Sequence, residues 1–172
     1  MSDDPVFLAL GSNLGDREEN IRIAIRKLGK EDIFVPLAMS SLYETEAKYV
    51  IDQPDFLNMV LKGRTGLSPE QLLGACKGIE REMGRNFQEI RNGPRLIDID
   101  ILFYGAEIMD TETLKIPHPL LKERRFVLEP LAEIAGTFIH PHLQCSIDTL
   151  MKICQDSAGV TKIKSTHSWI SD

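Results

Sequence analysis

An unbroken apolar run, Val6-Phe7-Leu8-Ala9-Leu10, begins the pattern. Such a run marks a strand covered on both faces. It ends in the turn Gly11-Ser12-Asn13-Leu14-Gly15-Asp16, whose last residue can cap a helix, with Glu19 three residues on as the returning carboxylate. Ile21, Ala24, Ile25 and Leu28 then recur at helical spacing, and Gly29 can stop the helix. Residues 33–45 predict a second strand, partly on a sheet edge because Pro36 has no N–H to offer a neighbour. The turn-like Asp52-Gln53-Pro54-Asp55 leads into a third strand over residues 56–62. Ser68-Pro69-Glu70-Gln71 combines an N-cap serine, a first-turn proline and a capping-box glutamine. The helix it starts would bury Leu72, Cys76, Ile79 and Met83 and close at Gly84. Residues 96–104 predict a fourth strand.

The resulting order, β-α-β-β-α-β, predicts an α+β fold with a ferredoxin-like core, an antiparallel sheet carrying both helices on one face. The remainder is less regular and adds a C-terminal α/β segment. It holds a helix over residues 126–135, with Leu128, Leu131 and Ile134 inward, and another after Ser146 that uses Ile147, Leu150, Met151 and Cys154. No repeat, low-complexity stretch or Ser/Gly linker divides the chain. Residues 1–172 are therefore expected to form a single domain, with a core at about 6–135 and an extension over 136–172.

Composition narrows the function classes. A chain of 172 residues, 42% hydrophobic and 27% charged, can bury a core of its own. It has no run near the roughly 18 apolar residues of a membrane span. A net charge of −6 disfavours a nucleic-acid coat but says nothing against a small anionic ligand, which feels local charge. The start, Met1-Ser2-Asp3-Asp4-Pro5, is acidic where an export signal would be basic. Three cysteines with no CxxC pair read as reduced thiols, so a cytoplasmic protein is expected. No obligate protein partner is evident in the sequence.

The sharpest chemical feature is Leu96-Ile97-Asp98-Ile99-Asp100-Ile101-Leu102. Residues two apart on a strand share a face, so Asp98 and Asp100 lie together while Ile97, Ile99 and Ile101 face the other way. Two adjacent carboxylates suit a magnesium ion, which commonly takes one or two carboxylates plus phosphate and water. The spacing also fits a solvated face neutralised by arginines. Just upstream, residues 84–95 carry Arg85, Arg91 and Arg95 with glycine and proline punctuation, either a solvated basic loop or a cationic lid for phosphate. Phe56 and Asn58 also share a strand face. Together they offer a ring and an amide to a flat heterocycle, or simply a core residue and a turn partner. His140-Pro141-His142 brings two imidazoles close, but such proline turns often carry histidines with no metal.

Four fragments occur in order: Gly11-Ser12-Asn13-Leu14-Gly15-Asp16, Asp52-Gln53-Pro54-Asp55-Phe56-Leu57-Asn58, Gly93-Pro94-Arg95-x-x-Asp98-x-Asp100 and Ile116-Pro117-His118-Pro119. Together, over about residues 6–135, they resemble the 6-hydroxymethyl-7,8-dihydropterin pyrophosphokinase family of folate biosynthesis. The resemblance implies transfer of the β,γ-diphosphate of ATP to the pterin hydroxymethyl oxygen, releasing AMP. It implies Asp98 and Asp100 as ligands of two Mg2+ ions, and Arg85 and Arg95 as catalytic arginines that engage the phosphates. It places Thr45, Phe56, Asn58 and Phe126 in the pterin pocket, with Asn13 nearby. Lys77, Glu80, Arg95, Lys115, His118 and Arg124 fall where the family holds ATP. The chain departs from the family at Thr45-Glu46-Ala47-Lys48-Tyr49, where a proline-rich segment is common, and at Asn92, where some members carry an aromatic residue. Two other classes stay open: a different magnesium-dependent phosphoryl or nucleotidyl transferase, and a ferredoxin-like module that binds a ligand without chemistry.

Overall fold

The computed structural model describes residues 4–30, 33–47, 52–84 and 93–165. The opening apolar run is strand β1 (Val6–Ser12), the second strand in from one edge of a six-stranded sheet. Helix α1 (Arg17–Leu28) follows, then strands β2 (Val35–Met39), β3 (Leu42–Thr45) and β4 (Phe56–Arg64), helix α2 (Pro69–Glu82) and strand β5 (Asp98–Tyr104). β1 runs antiparallel between β4 and β5, and β4 pairs antiparallel with both β2 and β3. The fold is thus a mixture of helices and an antiparallel sheet, as the sequence pattern predicts.

Alternation along β1 sorts its side chains. Val6, Leu8 and Leu10 join Ile21, Ala24 and Leu28 of α1 and Leu72, Cys76 and Ile79 of α2 in one buried cluster, with Ile97, Ile99 and Ile101 among them. Phe7 faces a second cluster with Val60, Leu102 and Phe103, and Ala9 packs against it. That cluster is closed by helices α3 (Arg125–Ala135) and α4 (Ile147–Ile153), through Val127, Leu128, Leu131, Ile147 and Leu150. The C-terminal segment therefore covers the sheet face that α1 and α2 leave open.

Both predicted helix starts carry caps, in different ways. At α2 the box is complete: Gln71 N–H donates to Ser68 Oγ at 3.3 Å, and Ser68 N–H donates to Gln71 Oε1 at 2.9 Å. At α1 only half of it forms. Asp16 Oδ1 accepts from Glu19 N–H at 3.0 Å, while the Glu19 carboxylate turns to Arg26 instead.

The predicted strand over residues 33–45 is two strands. The chain breaks at Ser40-Ser41, where Ser40 Oγ accepts from Val60 N–H at 2.9 Å and Glu133 of α3 accepts from both Ser41 N–H and Ser41 Oγ–H. Three strands were not predicted. Met109–Asp110 (β6) and Lys115–Ile116 (β7) form a small hairpin, and Val160–Lys164 (β8) pairs with β3 at the sheet edge. Among the described residues, no helix is long and apolar enough to cross a membrane.

Candidate active site

Register places the candidate residues on one patch of the sheet. Gly11 of β1 pairs with Asp98 of β5 on one side and with Asn58 of β4 on the other. Directly paired residues point to the same face. Asp98 and Asn58 therefore flank a position that has no side chain. A Cβ added at Gly11 would sit 2.8 Å from Asn58 Oδ1, so the floor between them is bare backbone. One step along the same face lie Asp100 and Ala9, directly paired.

The two aspartates are not neutralised by solvent alone. Arg95 Nη1 lies 3.4 Å from Asp98 Oδ2, and Arg124 Nη1 and His118 Nε2 each lie 4.0 Å from Asp100 Oδ2. Burial, and after it the Asp98 charge, pushes the Asp100 carboxyl up to about 7. His118 Nδ1 accepts from Leu120 N–H at 3.2 Å, which leaves the proton on Nε2, the atom facing Asp100. Burial and then the Arg124 charge pull His118 down to about 4, so near neutrality it is an uncharged donor rather than a cation.

On the other side of β5, the Glu80 side chain is fully buried and its Oε1 accepts from Ile99 N–H at 2.7 Å. Lys77 Nζ donates to both Glu80 oxygens at 3.1 Å. This pair grips the edge of β5 at the residue between the two aspartates. Lys115, by contrast, pairs with Asp110 across the β6–β7 hairpin.

On the Asn58 side, Asn58 Nδ2 donates to Thr45 Oγ1 at 2.7 Å, and both residues are buried. Phe56, paired with Thr45, opens β4 with its ring half-buried, and the Arg95 guanidinium carbon lies 5.4 Å from that ring's centroid. Phe126 lies in the first turn of α3, with Arg124 over its ring at 5.7 Å. Arg95 Nε is buried with no hydrogen-bond partner among the described residues. An orphaned guanidinium N–H beside the Asp98 carboxylate fits an arginine meant to meet an anionic ligand. Arg85 lies outside the described residues, as does Asn92.

Among the described residues no three His, Cys, Asp or Glu side chains converge on a common point. Two carboxylates on one face suit a hard divalent cation that draws its other ligands from substrate and water, and magnesium has that habit. Burial and then the Asp98 charge raise Asp100, and a cation held between the two carboxylates would offset both. His140 takes no part: it is buried, and its Nδ1 accepts from His142 N–H and Leu143 N–H at 3.2 Å each. Gly11 opens the glycine turn that ends the apolar run, but its bareness between Asp98 and Asn58 becomes informative only through register. Glu133, which meets β3 from about ninety residues away, had no local signal in the sequence.

Residues 7–136 match the family model described as 7,8-dihydro-6-hydroxymethylpterin-pyrophosphokinase. A 2-amino-4-hydroxy-6-hydroxymethyldihydropteridine pyrophosphokinase from Aquifex aeolicus is 46% identical over 136 residues, covering 79% of this chain and 83% of that protein. The folic acid synthesis protein fol1 of Pneumocystis carinii is 48% identical over 147 residues, 86% of this chain but 20% of its own length. The chain thus spans about a fifth of the length of the first curated relatives it matches. A crystal structure of Plasmodium falciparum HPPK-DHPS with pteroate superposes with a TM-score of 0.70 at 16% identity, over 87% of this chain and 44% of that one.

Proposed function

The chain belongs to the 7,8-dihydro-6-hydroxymethylpterin-pyrophosphokinase family, and from that premise we infer that it transfers the β,γ-diphosphate of ATP to 6-hydroxymethyl-7,8-dihydropterin, releasing AMP, as a step in folate biosynthesis. The observation that carries this reading is the row Asp98–Gly11–Asn58. It puts carboxylates suited to a metal-bound triphosphate one bare strand away from an amide suited to a heterocycle edge. The finer fold reading is a ferredoxin-like core. It is supported by the strand order β5-β1-β4-β3, with both core helices packed into one buried cluster.

In this reading Asp98 and Asp100 would hold two Mg2+ ions. Bound there, Mg2+ would neutralise the triphosphate and the departing AMP. Arg95 offers its orphaned Nε and its fork to the transferring phosphates, with Arg85 as its partner in that role. Neutral His118 presents Nε2–H, and Arg124 and Lys77 bring positive charge, on the nucleotide side. Glu80 fixes the β5 edge there, and Lys115 is assigned to the nucleotide by the family resemblance, from strand β7, which packs against β5. Asn58, oriented by Thr45, reads the pterin edge, and the rings of Phe56 and Phe126 stack on the bicycle. Alignment of the hydroxymethyl oxygen with the β-phosphorus is then a matter of positioning.

The test is incubation of the chain with ATP, Mg2+ and 6-hydroxymethyl-7,8-dihydropterin, followed by product analysis. AMP and a pterin diphosphate in equal amounts are expected. ADP with a pterin monophosphate would point to a phosphoryl transferase of another kind. No product above a pterin-free control would leave a binding module.

A further inference from the structure

Asn13 stands at the junction of three segments that are distant in sequence. Its side chain is buried, 1% exposed. Nδ2 donates to Gln53 Oε1 at 3.0 Å and to the Pro54 carbonyl at 3.1 Å. Oδ1 accepts from Arg95 N–H at 2.8 Å, and Asn13 N–H donates to the Arg95 carbonyl at 3.1 Å. Both amide N–H groups are thereby committed, so this side chain has no donor left for a ligand.

The segments it joins are those of the two subsites. Gln53 and Pro54 lead directly into Phe56, on the pterin side. Arg95 lies 3.4 Å from Asp98 on the phosphate side, and its guanidinium also rests on the Phe56 ring. The residues on either side of Asn13 are held to α1, because Asn20 Nδ2 donates to the Leu14 carbonyl at 2.8 Å and to Ser12 Oγ at 3.2 Å. A parallel tie runs from Arg17 Nη1 to the Asp55 carbonyl at 2.8 Å. A shift of Arg95 toward a bound triphosphate cannot leave the 52–55 turn where it was without breaking buried hydrogen bonds, and such breaks are costly.

We propose that Asn13 is a positioning residue that couples the two subsites, so that occupation of one by the magnesium nucleotide and of the other by the pterin strengthen each other through its amide. The proposal rests on the pyrophosphokinase reading above. Coupling of this kind is reciprocal, so either ligand can report it.

The experiment measures the affinity of the full chain for the α,β-methylene analogue of ATP with Mg2+, without pterin and at saturating pterin. The analogue cannot release its diphosphate, so binding is read without turnover. In the unaltered protein the ratio of the two dissociation constants should exceed one. Asn13→Asp keeps the oxygen that accepts from Arg95 but loses both donors, and should cut the ratio about fivefold or more, toward one. Gln53→Leu should cut it as well, while Gln53→Glu, which keeps an acceptor, should restore it. Should Asn13→Asp fail to fold, the Gln53 pair carries the test. A merely structural role would weaken nucleotide binding equally with and without pterin, and that unchanged ratio would overturn the proposal. An unaltered protein that bound both ligands with a ratio of one would overturn the coupling alone, and one that bound neither would overturn the functional reading with it.

Discussion

Removing the charge at Asp100 should set stability against catalysis. Its folded pKa lies above its ordinary value, so between about pH 4 and 7 the folded protein holds a proton that the unfolded chain releases. In the absence of metal, stability therefore falls as pH rises through that window. Asp100→Asn removes this dependence. At pH 8 without magnesium the variant should melt a few degrees above the unaltered protein, on a scale of about 2–4 °C per kcal/mol for a chain of this length, and the gap should narrow through that window and close only near pH 4 or below. Turnover should nevertheless be nearly abolished, as it should be for Asp98→Asn. A melting difference that did not change with pH would contradict the burial of this charge. The ring residues should separate by substrate instead. Phe56→Ala and Phe126→Ala should each weaken pterin binding by about 1–3 kcal/mol while nucleotide affinity changes far less, as titration of each ligand would show. The aspartate pair was legible because a strand repeats every two residues, whatever lies around it. The work of Asn13 and Glu80 was not, since neither a clasp between loops 40 and 82 residues apart nor a buried carboxylate under a strand edge leaves a local pattern.

Elements with a strong local signal fell where the pattern put them, and the exceptions share a cause. Helix α2 starts at the predicted cap because its box is made of residues three apart. The stretch over residues 33–45 breaks because of a contact its own residues do not encode. Ser41 N–H and Oγ–H, Tyr43 Oη–H and Lys162 Nζ all donate to Glu133. Burial works against this carboxylate's charge, but those donors outweigh it and hold Glu133 below the usual carboxylate range. Glu133→Ala would leave Ser41 and Tyr43 without that acceptor. It should cost about 1–3 kcal/mol in urea denaturation, whereas loss of a solvated ion pair alone would cost well under 1 kcal/mol. Strand β8 escaped prediction for a related reason. Val160-Thr161-Lys162-Ile163-Lys164 is short and mostly exposed, and its pairing is decided by β3 rather than by its own hydrophobicity.

Seen as a whole, the molecule is a sheet packed on both faces, and its C-terminal third is a working part of the core. Phe138 lies 5.0 Å, ring to ring, from both Phe7 and Phe103, and Ile147 and Leu150 complete the cover. A chain ended after residue 135 should lose cooperative thermal unfolding and bind a hydrophobic dye such as ANS. A sharp transition without dye binding would show that the first 135 residues suffice. The same packing sets the site at one end of the sheet, where β1 passes between the carboxylates and the amide.

The bareness of Gly11 has a consequence for any antifolate that rests on it. Every amino acid reachable from a glycine codon by a single-base change carries a Cβ, and here the first such atom meets Asn58 Oδ1 at 2.8 Å. An inhibitor lying flat on that stretch of backbone would press on a position where resistance has no cheap route, because each escape mutation also disturbs Asn58, the amide proposed to read the pterin edge.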